Sequence, residues 1–149
     1  MTLELEVQRA STAAALPGDD DFLSWVRAAL ADHADALLTI RIVDREESRA
    51  LNQRYRGKDA PTNVLSFPAD LPPEIELPLL GDIVICAPLV AAEARNQGKP
   101  EMDHWAHLTV HGVLHLLGHD HQQHEQAKVI FPDGAGTCAL VPPGPTIAP

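Results

Sequence analysis

The sequence is poor in the features that mark secreted and membrane proteins. It holds only two cysteines, Cys86 and Cys138, too few for a disulfide framework, and a reduced state fits the cytosol. Cys86 ends an apolar run, so we expect it to be a small buried residue. No apolar run approaches the roughly 20 residues that a membrane-spanning helix needs, and residues 1–6 are unlike a signal peptide. We therefore expect a cytoplasmic protein without a membrane segment.

Positive charge is scarce as well. The chain has 11 lysines and arginines against 21 aspartates and glutamates, so its formal net charge at pH 7 is −10. A generic nucleic-acid coat binds phosphate through clustered Lys and Arg, and this composition argues against that class. A nuclease with a locally basic cleft is still compatible with this charge composition. The densest positive patch comprises Arg54, Arg56 and Lys58.

The size and apolar content are those of one globular domain, with 149 residues of which 45% are hydrophobic. Alternation and short apolar runs predict four strands, at residues 3–7, 37–43, 63–67 and 81–86. Helical periodicity and start signals predict four helices, at residues 20–30, 44–54, 88–97 and 102–117. This order of elements predicts an α+β fold: a single domain with a mixed, about four-stranded sheet packed by helices, and a metal-binding helix near the C-terminus.

Two boundaries can be predicted more closely. Asp44 and Glu47 have the spacing of a capping box, in which each side chain accepts a hydrogen bond from the other residue's backbone N–H. We expect this pair to begin the second helix. Residues 128–149 are rich in proline and glycine, which favours irregular structure. We therefore expect a domain over residues 1–127, followed by an irregular tail.

Histidine, in contrast, is plentiful, and three histidines have the spacing of a single metal site. His111 and His115 are four residues apart, so on a helix both side chains project from one face. Gly118 lies where that helix would end, because glycine enters the left-handed conformation without steric penalty. The chain can turn back there and bring His121 to the same metal. Three neutral imidazoles with one position open to water are typical of a catalytic zinc site.

Alternatives to this ligand set remain open. His119 or His124 could replace His121 as the third ligand, although the spacing favours His121. The segment could also be a histidine-rich, amphipathic helix end with solvated imidazoles and no metal.

The same ligand spacing occurs in metzincin proteases, whose pattern is H-E-x-x-H-x-x-G-x-x-H. In this sequence Gly112 stands where those enzymes have glutamate. That glutamate is the general base that activates zinc-bound water for peptide hydrolysis. Its absence weakens the hypothesis of a protease and indicates a different reaction.

Several motifs together extend beyond the histidines. They lie at residues 55–59, 61–67, 80–86, 97–100, 104–107 and 111–121. In this order they resemble the YbeY family of bacterial endoribonucleases, and the resemblance covers about residues 20 to 125. Two departures stand out: the family typically has Tyr where this chain has His119, and it continues after His124 into a helix where this chain begins its Pro/Gly-rich tail.

The resemblance implies a metal-dependent endoribonuclease that is specific for single-stranded RNA. Family members act in 3′-end maturation of 16S ribosomal RNA and in ribosome quality control, so ribosomal RNA and the ribosome or its proteins are the implied partners. Carried over to this chain, the metal ligands are His111, His115 and His121, which would hold one Zn²⁺ together with water. The arginine on which the family relies for cleavage is Arg56.

We hypothesise that metal-bound water and Arg56 promote phosphodiester cleavage: the metal could polarise a phosphoryl oxygen, deliver hydroxide or do both, while Arg56 would clamp the phosphate. On the bare sequence, Arg56 could instead be a solvated loop arginine that pairs with Asp59. Other polar side chains could line the cleft, orient a ligand or simply pack: His107, Asp120, Thr62, Asn63 and Ser66. Two other functions also fit, namely a metal-dependent hydrolase of peptides or esters, and a non-catalytic ribosome-associated metal-binding module.

Overall fold

The computed structural model describes residues 2–31, 35–69, 79–118 and 139–140. The elements in chain order are β1 (Thr2–Ala10), α1 (Asp19–Leu30), β2 (Asp35–Val43), α2 (Arg45–Arg56), β3 (Val64–Pro68), β4 (Leu79–Cys86), α3 (Ala87–Gln97), α4 (Glu101–Leu116) and β5 (Ala139–Leu140). All four predicted strands and all four predicted helices are present, which confirms the α+β prediction. The short strand β5 lies within the predicted tail, and most of that tail lies outside the described residues.

The strands form one mixed sheet in the order β1-β2-β4-β3-β5. β1, β2 and β4 run parallel, whereas β3 is antiparallel to β4 and β5 is parallel to β3. Parallel neighbours need a crossover connection, and α1 supplies it between β1 and β2. In the described part of the chain, no helix is long and apolar enough to cross a membrane.

Helices cover both faces of this sheet, because alternate strand residues point to opposite sides. On the first face, Ile40, Ile83 and Ile85 pack in one cluster with residues of α1 and α4. Trp105 of α4 is fully buried there, and its ring meets that of Phe22 edge-on, with 5.9 Å between the ring centroids. The first face therefore joins α4 to the sheet.

The second face carries a smaller cluster. Leu65, Phe67 and Val84 pack there with Leu51 and Tyr55 of α2. The position of α2 against this face fixes where its C-terminal end lies relative to β3.

Cys86 belongs to the same cluster and is buried, as expected. Burial raises the pKa of its thiol. The prediction that Cys86 is buried is thus confirmed, and Cys138 lies outside the described residues.

The predicted capping box at the start of α2 is wrong. Asp44 occupies the N-cap position, but its side chain makes no cap hydrogen bond. Its carboxylate instead accepts hydrogen bonds from the Ser11 hydroxyl and from the backbone and hydroxyl of Thr12, which hold the pKa of Asp44 below its ordinary value. Glu47 pairs with Arg41 of β2. Tertiary partners therefore outcompete the local cap.

Candidate metal centre

Four histidines form a column along α4. His104, His107, His111 and His115 are separated by three, four and four residues, which places them on one side of the helix. Successive ring centroids lie 6.0, 5.3 and 5.6 Å apart. We call these four residues the histidine column. α4 packs against α1, β3 and β4, so the column lies mostly inside the domain.

Exposure increases along the column toward its C-terminal end. The exposed fraction is 0% for His104, 2% for His107 and 6% for His111, whereas His115 is only half-buried. The His107–His111 pair has the same four-residue spacing as His111–His115, but it is closed to solvent. A catalytic metal needs one position open to water or substrate. Of the two pairs, His111 with His115 is therefore the one that fits.

The separation of these two rings suits a shared metal. A zinc ion about 2 Å from one nitrogen of each ring, with a tetrahedral angle between them, would hold the ring centroids about 5 Å apart. The measured separation of the His111 and His115 centroids is 5.6 Å. Neutral imidazoles are also ligands that zinc prefers, so the donor set and the spacing both fit.

The turn after α4 agrees with the prediction, whereas the third ligand stays a prediction. Gly118 has φ of 83°, the left-handed conformation expected at the helix end. His121 lies outside the described residues, as do Asp120 and the alternative ligands His119 and His124. Within the described ranges, no group of three or more His, Cys, Asp or Glu residues could hold a metal ion.

Gly112 has a packing role that the sequence did not reveal. A Cβ atom at this position would lie 3.0 Å from Cγ2 and 3.1 Å from Cδ1 of Ile83, which is fully buried in β4. The Gly112 carbonyl also accepts a hydrogen bond of 3.2 Å from Ser66 Oγ on β3. Position 112 therefore faces the sheet at close range, and a glutamate there would enter the core.

Arg56 is the last residue of α2 and not a loop residue, because the helix runs two residues beyond its predicted end. Its Nη1 donates to Asn52 Oδ1 at 3.5 Å. The alternative of a pair with Asp59 is wrong: Asp59 accepts two hydrogen bonds, of 2.6 and 2.9 Å, from Arg49. Among the residues that the structure describes, Arg56 makes no ion pair with a carboxylate.

α2 and α4 approach neighbouring residues of β3 from opposite faces. Tyr55, which precedes Arg56, packs edge-on against Phe67 with 5.1 Å between the ring centroids. Ser66 points the other way and bonds to Gly112 of α4. The structure thus brings the end of α2 and the histidine column to the same level of β3, but no hydrogen bond joins Arg56 to a described histidine.

The three predicted cleft residues before and within β3 have structural partners. The Thr62 backbone exchanges hydrogen bonds of 2.9 and 2.8 Å with the Ser48 hydroxyl, which ties this loop to α2. Asn63 donates from Nδ2 to the Glu93 carboxylate, and Ser66 donates to α4. These contacts favour the turn and strand interpretation of Thr62, Asn63 and Ser66.

Glu93 is a site residue that the sequence analysis missed. Its Oε1 lies 2.8 Å from His104 Nε2 and 3.1 Å from Asn63 Nδ2. Burial acts to raise the pKa of Glu93, but the hydrogen bonds from His104 and Asn63 outweigh it and hold this pKa below its ordinary value. The sequence offered one signal for a buried role of Glu93: this acidic residue stands three positions after Val90, on the apolar side of α3.

These features define an α+β domain in which a buried helix presents a histidine pair at its open end. A family model described as Endoribonuclease YbeY matches residues 11–135. The Endoribonuclease YbeY of Alkalilimnicola ehrlichii is 57% identical over 134 residues, which cover 86% of this chain and 81% of that protein. The chain belongs to the YbeY family.

Solved structures are also similar to this chain. One of them, the solution structure of TM1509 from Thermotoga maritima, aligns with a TM-score of 0.49 and 22% identity, over 85% of this chain and 90% of that one.

Proposed function

We propose that this protein is a zinc-dependent endoribonuclease that cleaves single-stranded RNA during 3′-end maturation of 16S ribosomal RNA and in ribosome quality control. Membership of the YbeY family supports the endoribonuclease activity. The observation that carries the metal dependence is the His111–His115 pair at the open end of the column, with 5.6 Å between the ring centroids.

His111, His115 and His121 would hold the zinc ion. A bound zinc supplies Lewis acidity, which activates water and stabilises negative charge on a phosphoryl oxygen. Because the column is closed to solvent at His107, the substrate would reach the metal from the exposed end at His115. His107 is nearly fully buried and its ring meets that of His111 edge-on, so it would support this ligand from the inside.

Arg56 is the proposed phosphate clamp. A guanidinium donates two parallel hydrogen bonds to a phosphate, which suits it to bind the scissile group and stabilise the charge that develops there. Asp59, the nearest acidic residue in the sequence, is bound to Arg49. The Arg56 guanidinium is therefore not neutralised by that carboxylate.

The charge of the whole chain favours help from a partner. A net charge of −10 produces a long-range field that repels RNA. We therefore propose that the ribosome or a ribosomal protein presents the RNA to this enzyme in the cytoplasm.

Hydrolysis of peptides by the zincin mechanism is disfavoured by the packing of Gly112. The zincin general base would stand at this position, where even a Cβ atom would lie 3.0 Å from Ile83 Cγ2. The remaining alternative is a non-catalytic module, which would fold and bind zinc without turnover.

The decisive experiment measures cleavage of a single-stranded ribosomal RNA fragment by the zinc-loaded protein and by two variants. His115→Ala should lose zinc and cleavage together. Arg56→Ala should keep zinc but cleave about 10²-fold more slowly, because it removes a donor that stabilises transition-state charge.

The matched control is Arg54→Ala, which removes the same charge two residues away. Arg54 is exposed and stacks over Tyr55, with 5.3 Å from its guanidinium carbon to the ring centroid. Cleavage by Arg54→Ala should stay close to that of the parent. Undiminished cleavage by Arg56→Ala would refute the clamp, and a folded, zinc-bound parent without cleavage would favour the non-catalytic module.

A further inference from the structure

The Glu93 carboxylate joins three segments that are distant in sequence. Glu93 itself lies on α3, and it accepts hydrogen bonds from His104 on α4 and from Asn63 at the start of β3. Asn63 is anchored in turn, because its carbonyl accepts a hydrogen bond of 2.9 Å from the backbone N–H of Cys86. The carboxylate, which is partly exposed, is therefore held by two donors from different segments.

Among the described residues, Glu93 is the only hydrogen-bond partner of the His104 ring. The ring is fully buried, and its Nδ1 has no hydrogen-bond partner in the described part of the chain. The 2.8 Å contact with Glu93 therefore assigns the Nε2 atom as the donor. Without Glu93, neither ring nitrogen would have a partner among the described residues, and only packing would restrain rotation of the ring about its last side-chain bond.

The orientation of His104 matters because the next rings pack on it in series. His104 contacts His107 at 6.0 Å between ring centroids, and His107 contacts His111 edge-on at 5.3 Å. In a close-packed interior, a ring that turns forces its neighbour to adjust. A change at His104 is thus passed along the column toward the proposed metal ligands.

We propose that Glu93 is a positioning residue, which holds the His104 ring through Nε2 and thereby fixes the orientation of His107 and His111 along the histidine column. The expected effect of Glu93 on zinc affinity rests on the proposed function, because it presupposes the zinc site. The orienting contact itself is a property of the metal-free chain.

The test compares Glu93→Ala and Glu93→Gln with Val90→Ala. Glu93→Ala removes both hydrogen bonds. Glu93→Gln restores an acceptor, because the two short hydrogen bonds both end on Oε1 and one amide oxygen can accept both. Val90→Ala is the matched control: Val90 is fully buried on the same helix, but it belongs to the apolar cluster and makes no contact that the proposal uses.

Two readouts separate positioning from general loss of stability. The first is the set of imidazole ¹H–¹⁵N spectra of the metal-free proteins, which report the tautomer of each ring. The second is the Kd for Zn²⁺, measured by competition with a chelator. Urea unfolding of all variants ranks their stability.

In Glu93→Ala, we expect the His104 ring to lose its fixed Nε2–H tautomer and the His107 and His111 signals to shift. Zinc affinity should fall, but by less than the roughly tenfold to 100-fold that follows loss of a group bound directly to a metal ligand, because Glu93 reaches His111 only through His104 and His107. Glu93→Gln should restore most of both, and Val90→Ala should change neither, even where it unfolds at lower urea. Unchanged His107 and His111 spectra and an unchanged Kd in a folded Glu93→Ala protein would overturn the proposal.

A second variant covers the case in which Glu93→Ala does not fold. Glu93→Asp keeps the charge but withdraws the carboxylate by about 1.5 Å, one C–C bond. In Glu93→Asp we expect the His107 and His111 signals to shift in the same direction as in Glu93→Ala, but by less. The absence of these shifts would also contradict the proposal. A parent that binds no zinc would refute the proposed function, whereas the metal-free spectra would still decide the role of Glu93.

Discussion

The close approach of Gly112 to the sheet predicts that a single methyl group is destabilising at this position. In Gly112→Ala the new Cβ would lie 3.0 Å from Ile83 Cγ2 and 3.1 Å from Cδ1, inside the normal carbon–carbon contact distance. Overpacking of this kind costs about 1–3 kcal/mol, while exchanging glycine for alanine inside a helix returns about 1 kcal/mol. The net expectation is a loss of about 1 kcal/mol in the free energy of unfolding.

The assay is urea unfolding of a double-mutant cycle with Ile83→Ala. The three closest atoms to the new Cβ all belong to the Ile83 side chain beyond its own Cβ, and this second substitution removes them. On that background the clash is gone and only the gain in helix propensity remains. Gly112→Ala should then stabilise the protein by about 1 kcal/mol, so its effect should change sign.

A stabilising effect of Gly112→Ala in the parent would refute this reasoning, because it would mean that Ile83 yields without cost. The same result would remove the packing argument against a glutamate at position 112. As the structure stands, a glutamate there would bury a carboxylate beside an apolar side chain, which is costlier still.

Two further predictions concern the contacts that surround α4. Ser66→Ala removes the buried hydrogen bond to the Gly112 carbonyl. The free energy of unfolding, measured with urea, should fall by about 1 kcal/mol. An unchanged urea midpoint would mean that this hydrogen bond does not contribute to stability. The pKa of Glu93 is lowered in the folded state. The ionised Glu93 carboxylate therefore contributes its full stabilisation of the folded protein at a pH above the ordinary glutamate pKa. This contribution is lost as the pH falls through the lowered pKa. The difference in urea midpoint between the parent and Glu93→Gln should therefore shrink between pH 7 and pH 3, and a difference that stays constant would contradict the assignment.

Local signals in the sequence were sufficient for the elements and for the histidine pair. The apolar alternation of β2 and the turn at Gly118 depend on neighbours within a few residues, and both predictions are confirmed. The four-residue spacing of His111 and His115 likewise fixes them on one helical face in any fold that keeps α4. The helix bounds agreed to within one or two residues.

Predictions failed where a distant partner decided the outcome. Asp44 and Glu47 had the spacing of a capping box, but Ser11, 33 residues away, binds Asp44, and Arg41 of the preceding strand β2 binds Glu47. Glu93 escaped notice because its partner Asn63 is 30 residues away, and no local pattern signals such a contact.

The α+β elements, the family and the pair of imidazoles that a metal could share were all predictable from the sequence, because each follows from residue types and their spacing along the chain. Tertiary structure alone decided that the column closes at His104 and opens at His115, since burial depends on what packs over each ring. The role of Gly112 also became clear only in the folded structure. The sequence showed that the zincin glutamate is absent, whereas the packing shows that a Cβ atom at position 112 would crowd the Ile83 side chain. Hydrogen bonds and steric contacts between remote segments exist only once the chain has folded, and these contacts link Glu93 to the candidate metal centre.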